Sequence, residues 1–332
     1  MSLIERHWYR RSLSVFAYCL LPLSLLFRCI VSIRFFLYRI RFKKIENVSV
    51  PVIVVGNITV GGTGKTPFVI WLCHALQKKG YRPGIVSRGA GGVKKQPLYC
   101  VDAQSDPRDV GDEAVLLAHR TACPLVVAVD RVLAARTLLE KYDCNIIISD
   151  DGLQHYRLGR DVEIVIVDGV RKFGNGHLLP AGPLREPINR LKYADCVITH
   201  GDEMKLVGHE LIALKDESKH LLLSELRNQT VHAVAGIGNP ERFFSALRAR
   251  GLHVIEHSFP DHHAYKARDI NFNDRLPVLM TEKDAVKCKL FSSSDERYWY
   301  LPVVAELPEN LIEKIVSICS VKSAMRRQHA VT

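Results

Sequence analysis

A glycine-rich segment followed by lysine and threonine carries the clearest chemical signal in this sequence. It consists of Thr59, Val60, Gly61, Gly62, Thr63, Gly64, Lys65 and Thr66. Glycines let successive backbone N–H groups face phosphate oxygens, the lysine reaches the terminal phosphates, and the threonine hydroxyl can ligate Mg²⁺. An apolar run precedes the segment and a helical pattern follows it, which is the context that this motif requires. The segment predicts a site for a nucleoside triphosphate, although it begins with threonine where generic loops begin with glycine.

A pair of acids follows a second apolar run. Residues 144–149 read as a strand, and Asp150 and Asp151 come directly after it. This pattern resembles a Walker B element, whose carboxylate holds Mg²⁺ directly or through water. A lone Asp-Gly turn is common, but the doubled acid after a strand favours a metal role.

Three further motifs are weak when each is taken alone. Gly111, Asp112 and Glu113 begin a predicted helix, where acids often only complement the helix dipole. Residues 179–187 form a Pro/Gly-rich stretch that contains Arg185 and Glu186, and residues 259–263 end in two adjacent histidines. These motifs become informative only in combination.

The elements that must position these residues alternate between apolar strands and helices. We predict strands at 50–57, 83–87, 125–129, 144–149 and 162–168, with helices at 65–79, 111–120 and 131–141. Uniformly apolar strands separated by helices indicate a parallel sheet covered on both faces. The predicted fold class is therefore α/β, with a P-loop NTPase-like sheet whose active site lies at the carboxyl ends of the strands.

A second alternation begins near residue 231 and predicts a smaller α/β domain. We expect strands at 231–236, 253–258, 277–281 and 298–304 and helices at 240–250 and 308–319, with a polar join around 202–230. The predicted division is a helical segment over 1–44, a kinase core over 45–225 and the smaller domain over 226–332. Gly236-Ile237-Gly238 is a weak nucleotide-loop pattern, and a strand–helix turn is the better interpretation.

Positive charge is concentrated at the N-terminus of the chain. The net charge of the 332 residues is +11, but residues 1–44 carry nine Lys/Arg and one acid and account for +8. A nucleic-acid-binding protein more often spreads basic charge over a folded face, so no nucleic-acid partner is expected. Nine cysteines without Cys-x-x-Cys spacing indicate reduced thiols rather than a disulfide framework or zinc site.

The basic N-terminal segment is also apolar from Leu13 to Ile40. Its uncharged run, 12–27, is shorter than the roughly 20 residues that cross a bilayer. We predict a helix or helix pair that lies in the membrane interface, with apolar side chains in lipid and arginines near anionic headgroups. A helix packed on the protein's own core and a single membrane span are the alternatives.

Taken together, the motifs carry a resemblance. The chain resembles the tetraacyldisaccharide 4′-kinases of lipid A biosynthesis over about residues 1–290. For this family, Thr59 at the start of the phosphate loop is normal, as is a basic, apolar N-terminus. One departure is Ala90, within Gly89-Ala90-Gly91-Gly92, where Gly-Tyr-Gly is commoner. The motifs in chain order are 56–67, 87–89, 111–114, 129–131, 150–155, 183–186, 261–262 and 281–284.

The resemblance implies transfer of the ATP γ-phosphate to the 4′-hydroxyl of an acylated glucosamine disaccharide 1-phosphate. It implies that Asp112 is the catalytic base, paired with His262, for which His263 is the competing choice. It further implies ATP and Mg²⁺ as cofactors and a peripheral or monotopic place on the cytoplasmic face of the bacterial inner membrane, through residues 1–44. The implied Mg²⁺ residues are Thr66, Asp150, Asp151, Gln154 and Glu186, and the implied substrate or phosphate contacts are Arg88, Glu113, Arg131 and Arg185.

Two other functions remain open from the residues alone. One is a P-loop nucleotide switch or metallochaperone GTPase, for which residues 281–284 resemble the guanine-reading Asn-Lys-x-Asp motif only loosely. The other is a membrane-anchored binding protein whose phosphate loop is vestigial.

Overall fold

A computed structural model describes residues 7–10, 14–93, 95–289, 291 and 295–331, with side chains up to 326. Part of the predicted basic segment, including Glu5, Arg6, Arg11 and Leu13, lies outside the described residues. The first long element is helix α1, Val15–Arg39. Where a helix or helix pair was expected, one 25-residue helix runs through Pro22, and the Ser14 hydroxyl caps its start by accepting a hydrogen bond from Ala17 N–H.

The first sheet has seven strands in the described part of the chain, and its central strands are mostly apolar and almost entirely buried. Its strands and the helices between them are β1 Val52–Gly56, α2 Lys65–Lys78, β2 Pro83–Ser87, β3 Leu98–Val101, α3 Pro107–Val110, α4 Asp112–Thr121, β4 Leu125–Ala128, α5 Arg131–Lys141, β5 Ile146–Asp150, β6 Val162–Asp168 and β7 Cys196–His200. The strand order is β3-β4-β2-β5-β1-β6-β7, and every pair except β3–β4 is parallel. This arrangement confirms the predicted α/β class and brings the ends of β1, β2 and β5 to one edge.

The second sheet has six strands and a mixed arrangement. Its elements, with the short strand that precedes it, are β8 Lys205–Val207, β9 Glu210–Ala213, β10 His220–Leu222, β11 Thr230–Ala235, α6 Pro240–Arg248, β12 His253–Ser258, α7 Ala267–Ile270, β13 Val278–Thr281, α8 Glu282–Cys288 and β14 Tyr298–Leu301. The strand order is β10-β9-β14-β13-β11-β12. Strands β11 to β14 are parallel to one another, and β9 pairs antiparallel with both β14 and β10. Short 3₁₀ turns occur at Ile188–Tyr193 and Leu223–Leu226.

The chain returns to the first sheet after leaving the second. Strand β15, Val304–Glu306, pairs antiparallel with β8, and helix α9, Leu311–Val331, follows it. Side chains of α9, including Ile312 and Ile315, belong to the same buried cluster as Phe68 and Leu72 of α2. The domain boundary predicted at 225/226 stays a prediction. The contacts of β15 and α9 lead us to propose another division, in which the second unit is an insertion between β8 and β15 and α9 belongs to the first unit.

Helix α1 lies on the first sheet's side of the molecule through one stripe of residues. Ala17 and Ser24 are buried, and the Ser24 hydroxyl donates a 2.8 Å hydrogen bond to the Leu178 carbonyl. Near its end, Arg34 donates to the Gln154 carbonyl and Phe35 contacts Tyr156 with ring centroids 5.6 Å apart. Its other faces carry exposed apolar side chains. Within the described part of the chain, α1 is the one helix long and apolar enough to cross a membrane, with only 11% of its most apolar stretch buried.

Candidate active site

The phosphate loop between β1 and α2 is held in a defined conformation by contacts to a second loop. Thr59 forms a bridge with Leu184, and the Val60 N–H donates a 2.8 Å hydrogen bond to the Pro183 carbonyl. Gly61 and Gly64 have φ values of +99° and +94°, which only glycine adopts without strain. These contacts and the two glycine conformations define the backbone of the loop between a strand and a helix, the context that the sequence predicts for a triphosphate-binding loop.

Lys65 lies at the start of α2 and faces the acids at the end of β5. Its Nζ is 3.4 Å from Asp151 Oδ1, and Arg185 Nη1 is 3.1 Å from Asp151 Oδ2. Burial alone would raise the pKa of Asp151, but the charges of Lys65 and Arg185 hold that pKa below its usual range. These three predicted residues are thus brought together beside the phosphate loop.

Asp150 is buried next to Asp151 and has a different electrostatic environment. Its carboxylate accepts a 3.1 Å hydrogen bond from the Ser87 hydroxyl. Burial raises the pKa of Asp150, and the nearby carboxylates of Glu113 and Asp151 raise it further. Burial destabilises the charged form of a carboxylate, and a bound divalent cation would stabilise that charged form. The oxygens of Asp150 and Asp151 therefore fit Mg²⁺, with Thr66 in the first turn of α2 as a third candidate ligand.

Glu186 and Gln154 are placed differently from the other predicted metal residues. Gln154 Nε2 donates to Glu186 Oε1 at 2.8 Å, and the Tyr156 hydroxyl donates to Oε2 at 2.5 Å. Arg190 Nε lies 3.3 Å from the same carboxylate. Since both oxygens already have partners, we expect Glu186 to organise this loop, and its metal role remains a prediction. No cluster of three His, Cys, Asp or Glu side chains arranged for a metal occurs among the residues that the structure describes.

Two of the three predicted arginine contacts, Arg131 and Arg88, differ in their exposure to solvent. Arg131 is buried, donates a 2.8 Å hydrogen bond to the Ala128 carbonyl, and lies near Asp150, whose carbonyl it also contacts. Burial lowers the pKa of Arg131 to about 10. Arg88, at the carboxyl end of β2, is exposed. Arg131 therefore supplies fixed positive charge beneath the acids, whereas Arg88 is accessible to a ligand.

Asp112 and His262 meet across the boundary between the two units. His262 Nδ1 lies 3.0 Å from Asp112 Oδ1, which also accepts the Glu113 N–H at 2.9 Å. Because a carboxylate only accepts hydrogen bonds, Nδ1 carries the proton. Burial would raise the pKa of Asp112, but His262, Lys283 and nearby charge hold it well below its usual range. The hydrogen bond to Asp112 in turn raises the pKa of His262.

His263 does not share this position. Its Nε2 lies 3.1 Å from Asp269, and its ring stacks on Phe259 with centroids 4.7 Å apart. A Cβ at Gly91 would lie 2.9 Å from His262 Nδ1, so the loop after β2 can approach the imidazole because residue 91 is glycine. The geometry favours His262 over His263 as the partner of Asp112.

Two lysines of α8 also reach this site, and sequence reasoning missed them. Lys283 Nζ is 2.9 Å from Glu113 and 3.0 Å from Asp261, and Lys287 Nζ is 3.3 Å from Asp112 Oδ2. Burial opposes the charged form of Lys283, but the surrounding carboxylates hold its pKa above the usual range. The i, i+4 spacing of these lysines on a helix after a strand was the available signal.

The second unit also contacts the phosphate loop directly. A Cβ at Gly238 would lie 2.3 Å from Gly62 N, so the two backbones are packed against each other. Arg171 Nη1 donates a 2.6 Å hydrogen bond to the Gly238 carbonyl, and Arg242 Nη2 lies 2.5 Å from Asp168 Oδ2. The turn 236–238 is thus a strand–helix turn, as expected, and it covers one side of the phosphate loop.

Comparison with known proteins agrees with this geometry. A family model described as tetraacyldisaccharide-1-P 4′-kinase (LpxK) matches residues 16–320. A tetraacyldisaccharide 4′-kinase of Nitrosococcus oceani is 50% identical over 324 residues, covering 96% of this chain and 94% of the relative. One of Methylobacillus flagellatus is 51% identical over 322 residues, covering 95% of each chain. Nothing in these matches supports a nucleotide switch or a metallochaperone GTPase.

A solved structure has the same fold. It is the "apo" form of LpxK from Aquifex aeolicus in complex with ATP, which is 30% identical in sequence. It superimposes with a TM-score of 0.75 and covers 92% of this chain and 99% of that chain. The likeness therefore extends over both sheets and the segment that joins them.

Proposed function

The chain belongs to the tetraacyldisaccharide 4′-kinase family, and from that premise we propose how its residues act. The enzyme transfers the γ-phosphate of ATP to the 4′-hydroxyl of tetraacyldisaccharide 1-phosphate, which forms lipid IVA in lipid A biosynthesis. In our proposal Asp112 receives the acceptor hydroxyl and His262 holds Asp112 in place. The observation that carries this assignment is the state of the two Asp112 oxygens. Oδ1 has two donors, whereas buried Oδ2 accepts no hydrogen bond from any described group.

The nucleotide half of the reaction is assigned to the first sheet. The amides of residues 59–66 bind the phosphates of ATP. When ATP binds, its γ-phosphate replaces Asp151 as the partner of the Lys65 ammonium group. Arg88 and Arg185 are placed at the same edge and add positive charge to the transferred group. Mg²⁺ held by Asp150, Asp151 and Thr66 would neutralise charge on the phosphate oxygens.

A base with a low pKa suits this reaction. Phosphoryl transfer passes through a loose transition state, in which the acceptor hydroxyl keeps its proton until late. Asp112 therefore has to orient the hydroxyl more than to remove its proton early. Lys287, 3.3 Å from Oδ2, keeps the carboxylate ionised.

A kinase assay with labelled ATP and tetraacyldisaccharide 1-phosphate tests this assignment. We expect Asp112→Asn to lower kcat by about 10²- to 10⁴-fold while ATP affinity changes little, because positioned base groups contribute that much. His262→Gln should also lower kcat, whereas the adjacent His263→Gln serves as the matched control. Wild-type turnover in Asp112→Asn would refute the role of Asp112, and equal losses in the two histidine variants would refute the choice of His262.

We propose that α1 places the enzyme on the cytoplasmic face of the inner membrane without crossing it. Residues of one stripe pack on the protein, while Leu25, Leu26 and Phe36 are more than half exposed on the other faces. Arg28 is also exposed within the helix, which suits an interface better than a hydrocarbon core. The acyl chains of the substrate would then lie in the same layer as the exposed face of α1.

Vesicle sedimentation tests the role of α1. Changing Leu25, Leu26 and Phe36 to glutamine should release the protein from vesicles, since each apolar side chain transferred from water contributes roughly 1.5–3 kcal/mol. The matched control changes three exposed apolar residues of the second unit and should stay bound: Leu222→Gln, Ile255→Gln and Phe291→Gln. Unchanged binding of the α1 variant would contradict the proposal, and resistance to an alkaline carbonate wash would indicate a membrane span instead.

A further inference from the structure

A basic cleft lies at the edge of the first sheet that is opposite to the catalytic residues. Its volume is about 820 Å³, and it is lined by the end of α1, the 3₁₀ turn Ile188–Tyr193 and side chains of α9. Asp161 and Glu163, at the start of β6, form part of its wall, whereas the phosphate loop follows the end of the neighbouring strand β1. In the register of these two strands Val162 lies beside Ile53 and Val165 beside Gly56, so the start of β6 is about 10 Å along the strands from the phosphate loop.

The charges in this cleft do not balance. Eight basic side chains and three carboxylates line it. Four of the basic groups have carboxylate partners in the cleft: Arg160 and Arg190 pair with Glu163, Lys322 with Asp195, and Arg326 with Asp161. The other four basic side chains have no carboxylate partner among the described residues of the cleft.

These four cations come from six consecutive residues at the end of α1. Arg39, Arg41, Lys43 and Lys44 are exposed, and none has a carboxylate within 4 Å among the residues that the structure describes. Arg39 is held against Tyr193, to whose hydroxyl it donates at 2.8 Å and over whose ring it lies at 4.6 Å. Four neighbouring cations without a carboxylate partner repel one another, and a bound anion would reduce that repulsion.

The residues between the cations indicate where the anion comes from. Ile40 and Phe42 alternate with the basic residues, and their side chains are 52% and 77% exposed. They continue the exposed apolar face of α1, and Tyr38 and Tyr193 line the cleft beside them. Apolar, basic and tyrosine side chains that lie together are typical of the membrane–water interface. The anions at that interface are the phosphate groups of lipid headgroups.

We propose that this cleft binds the phosphate-bearing headgroup of an anionic phospholipid, at a site separate from the substrate site. The proposal rests on the proposed membrane docking of α1 and adds a second attachment point to it. α1 has 25 residues and is therefore about 37 Å long. The enzyme is then held by the exposed apolar face of α1 and, at the C-terminal end of this helix, by the headgroup.

Binding of the full-length protein to vesicles of phosphatidylcholine, with or without phosphatidylglycerol, tests the site. Removing three of the cations should weaken binding to the anionic vesicles on the order of 100-fold, with little change on neutral vesicles. The cleft variant is Arg41→Gln/Lys43→Gln/Lys44→Gln. A charge-matched control in the second unit should bind like the wild type: Lys215→Gln/Arg227→Gln/Arg275→Gln. Equal weakening in both variants would overturn the proposal, because net charge alone would then account for binding.

Two further measurements separate a cleft from a charged surface. Ile45→Trp keeps every charge but narrows the cleft that Ile45 lines, so it should weaken the preference for phosphatidylglycerol. A wild-type preference in this variant would overturn the site. Inorganic phosphate at millimolar concentration should not release the wild type from anionic vesicles, and release would assign the cleft to a free anion. Kinase activity on detergent-solubilised substrate should be unchanged in every cleft variant. The vesicle measurements therefore test the lipid site separately from the catalytic assignment, which the kinase assay tests.

Discussion

The contact between Gly238 and the phosphate loop can be tested by replacing Gly238 with alanine. Gly238 has an ordinary negative φ, so alanine introduces no backbone strain at this position. The added methyl group would lie 2.3 Å from Gly62 N and 3.1 Å from Gly62 Cα. The substitution therefore acts on the approach of the two units and on little else.

The size of the effect follows from that distance. Carbon and backbone atoms pack at about 3.5 Å or more, so the two loops must separate by roughly 1 Å. Inserting a methyl group into a packed contact costs about 1–3 kcal/mol. If catalysis requires the second unit to stay against the phosphate loop, kcat should fall by roughly 5- to 150-fold.

Steady-state kinetics with ATP and the lipid acceptor measure this loss, and thermal unfolding reports whether the fold is affected. Asn239→Ala is the control, because it alters the same turn without adding an atom toward Gly62. We expect kcat to fall in Gly238→Ala with an unchanged unfolding temperature. A wild-type kcat would refute the idea that this contact is maintained during turnover, and a fall in both variants would assign the effect to the turn itself.

Three further predictions concern the ionisable groups. By NMR, His262 should titrate above the ordinary histidine pKa of about 6.5, and Asp112→Asn should lower the pKa of His262. The stability that the His262–Asp112 pair contributes is complete below about pH 6.5 and is lost as the pH rises through the raised pKa. An unshifted His262 in the wild type would contradict this. Mg²⁺ affinity measured calorimetrically should fall as the pH is lowered, because the raised pKa of Asp150 makes protons compete with the ion, and Asp150→Asn should abolish this dependence. Glu186→Gln should lower the free energy of unfolding by about 1–3 kcal/mol without changing the Mg²⁺ concentration needed for half-maximal activity; a higher requirement would make Glu186 a ligand.

The first sheet could be predicted well because its signals are local. Strand Val52–Gly56 has no polar side chain, strand Ile146–Asp150 is apolar up to Ile148, and the helix Lys65–Lys78 agrees with the prediction to within one residue. Strands β9 and β10 were missed within the predicted join, since they are short and carry polar as well as apolar residues. Their place depends on pairing with β14, which is distant in sequence.

The candidate site divides in the same way. The phosphate loop and the acids after β5 are contiguous motifs, so their types and spacing were sufficient to find them. Asp112 and His262 are 150 residues apart, and only the family resemblance paired them before the structure did. Lys283 and Lys287 were missed because their role depends on how α8 packs against α4, which no local pattern records.

The paired strands β8 and β15 have a consequence for how this protein can be divided and rebuilt. Val207 lies opposite Val304, so the chain enters and leaves the second unit at neighbouring points. A segment whose two ends are adjacent can be removed, or inserted into another protein, without distorting the backbone of the segment or of the protein that holds it. Joining residues 207 and 304 by a short turn would leave the first sheet and α9 as one continuous polypeptide. The same adjacency offers new chain termini for circular permutation.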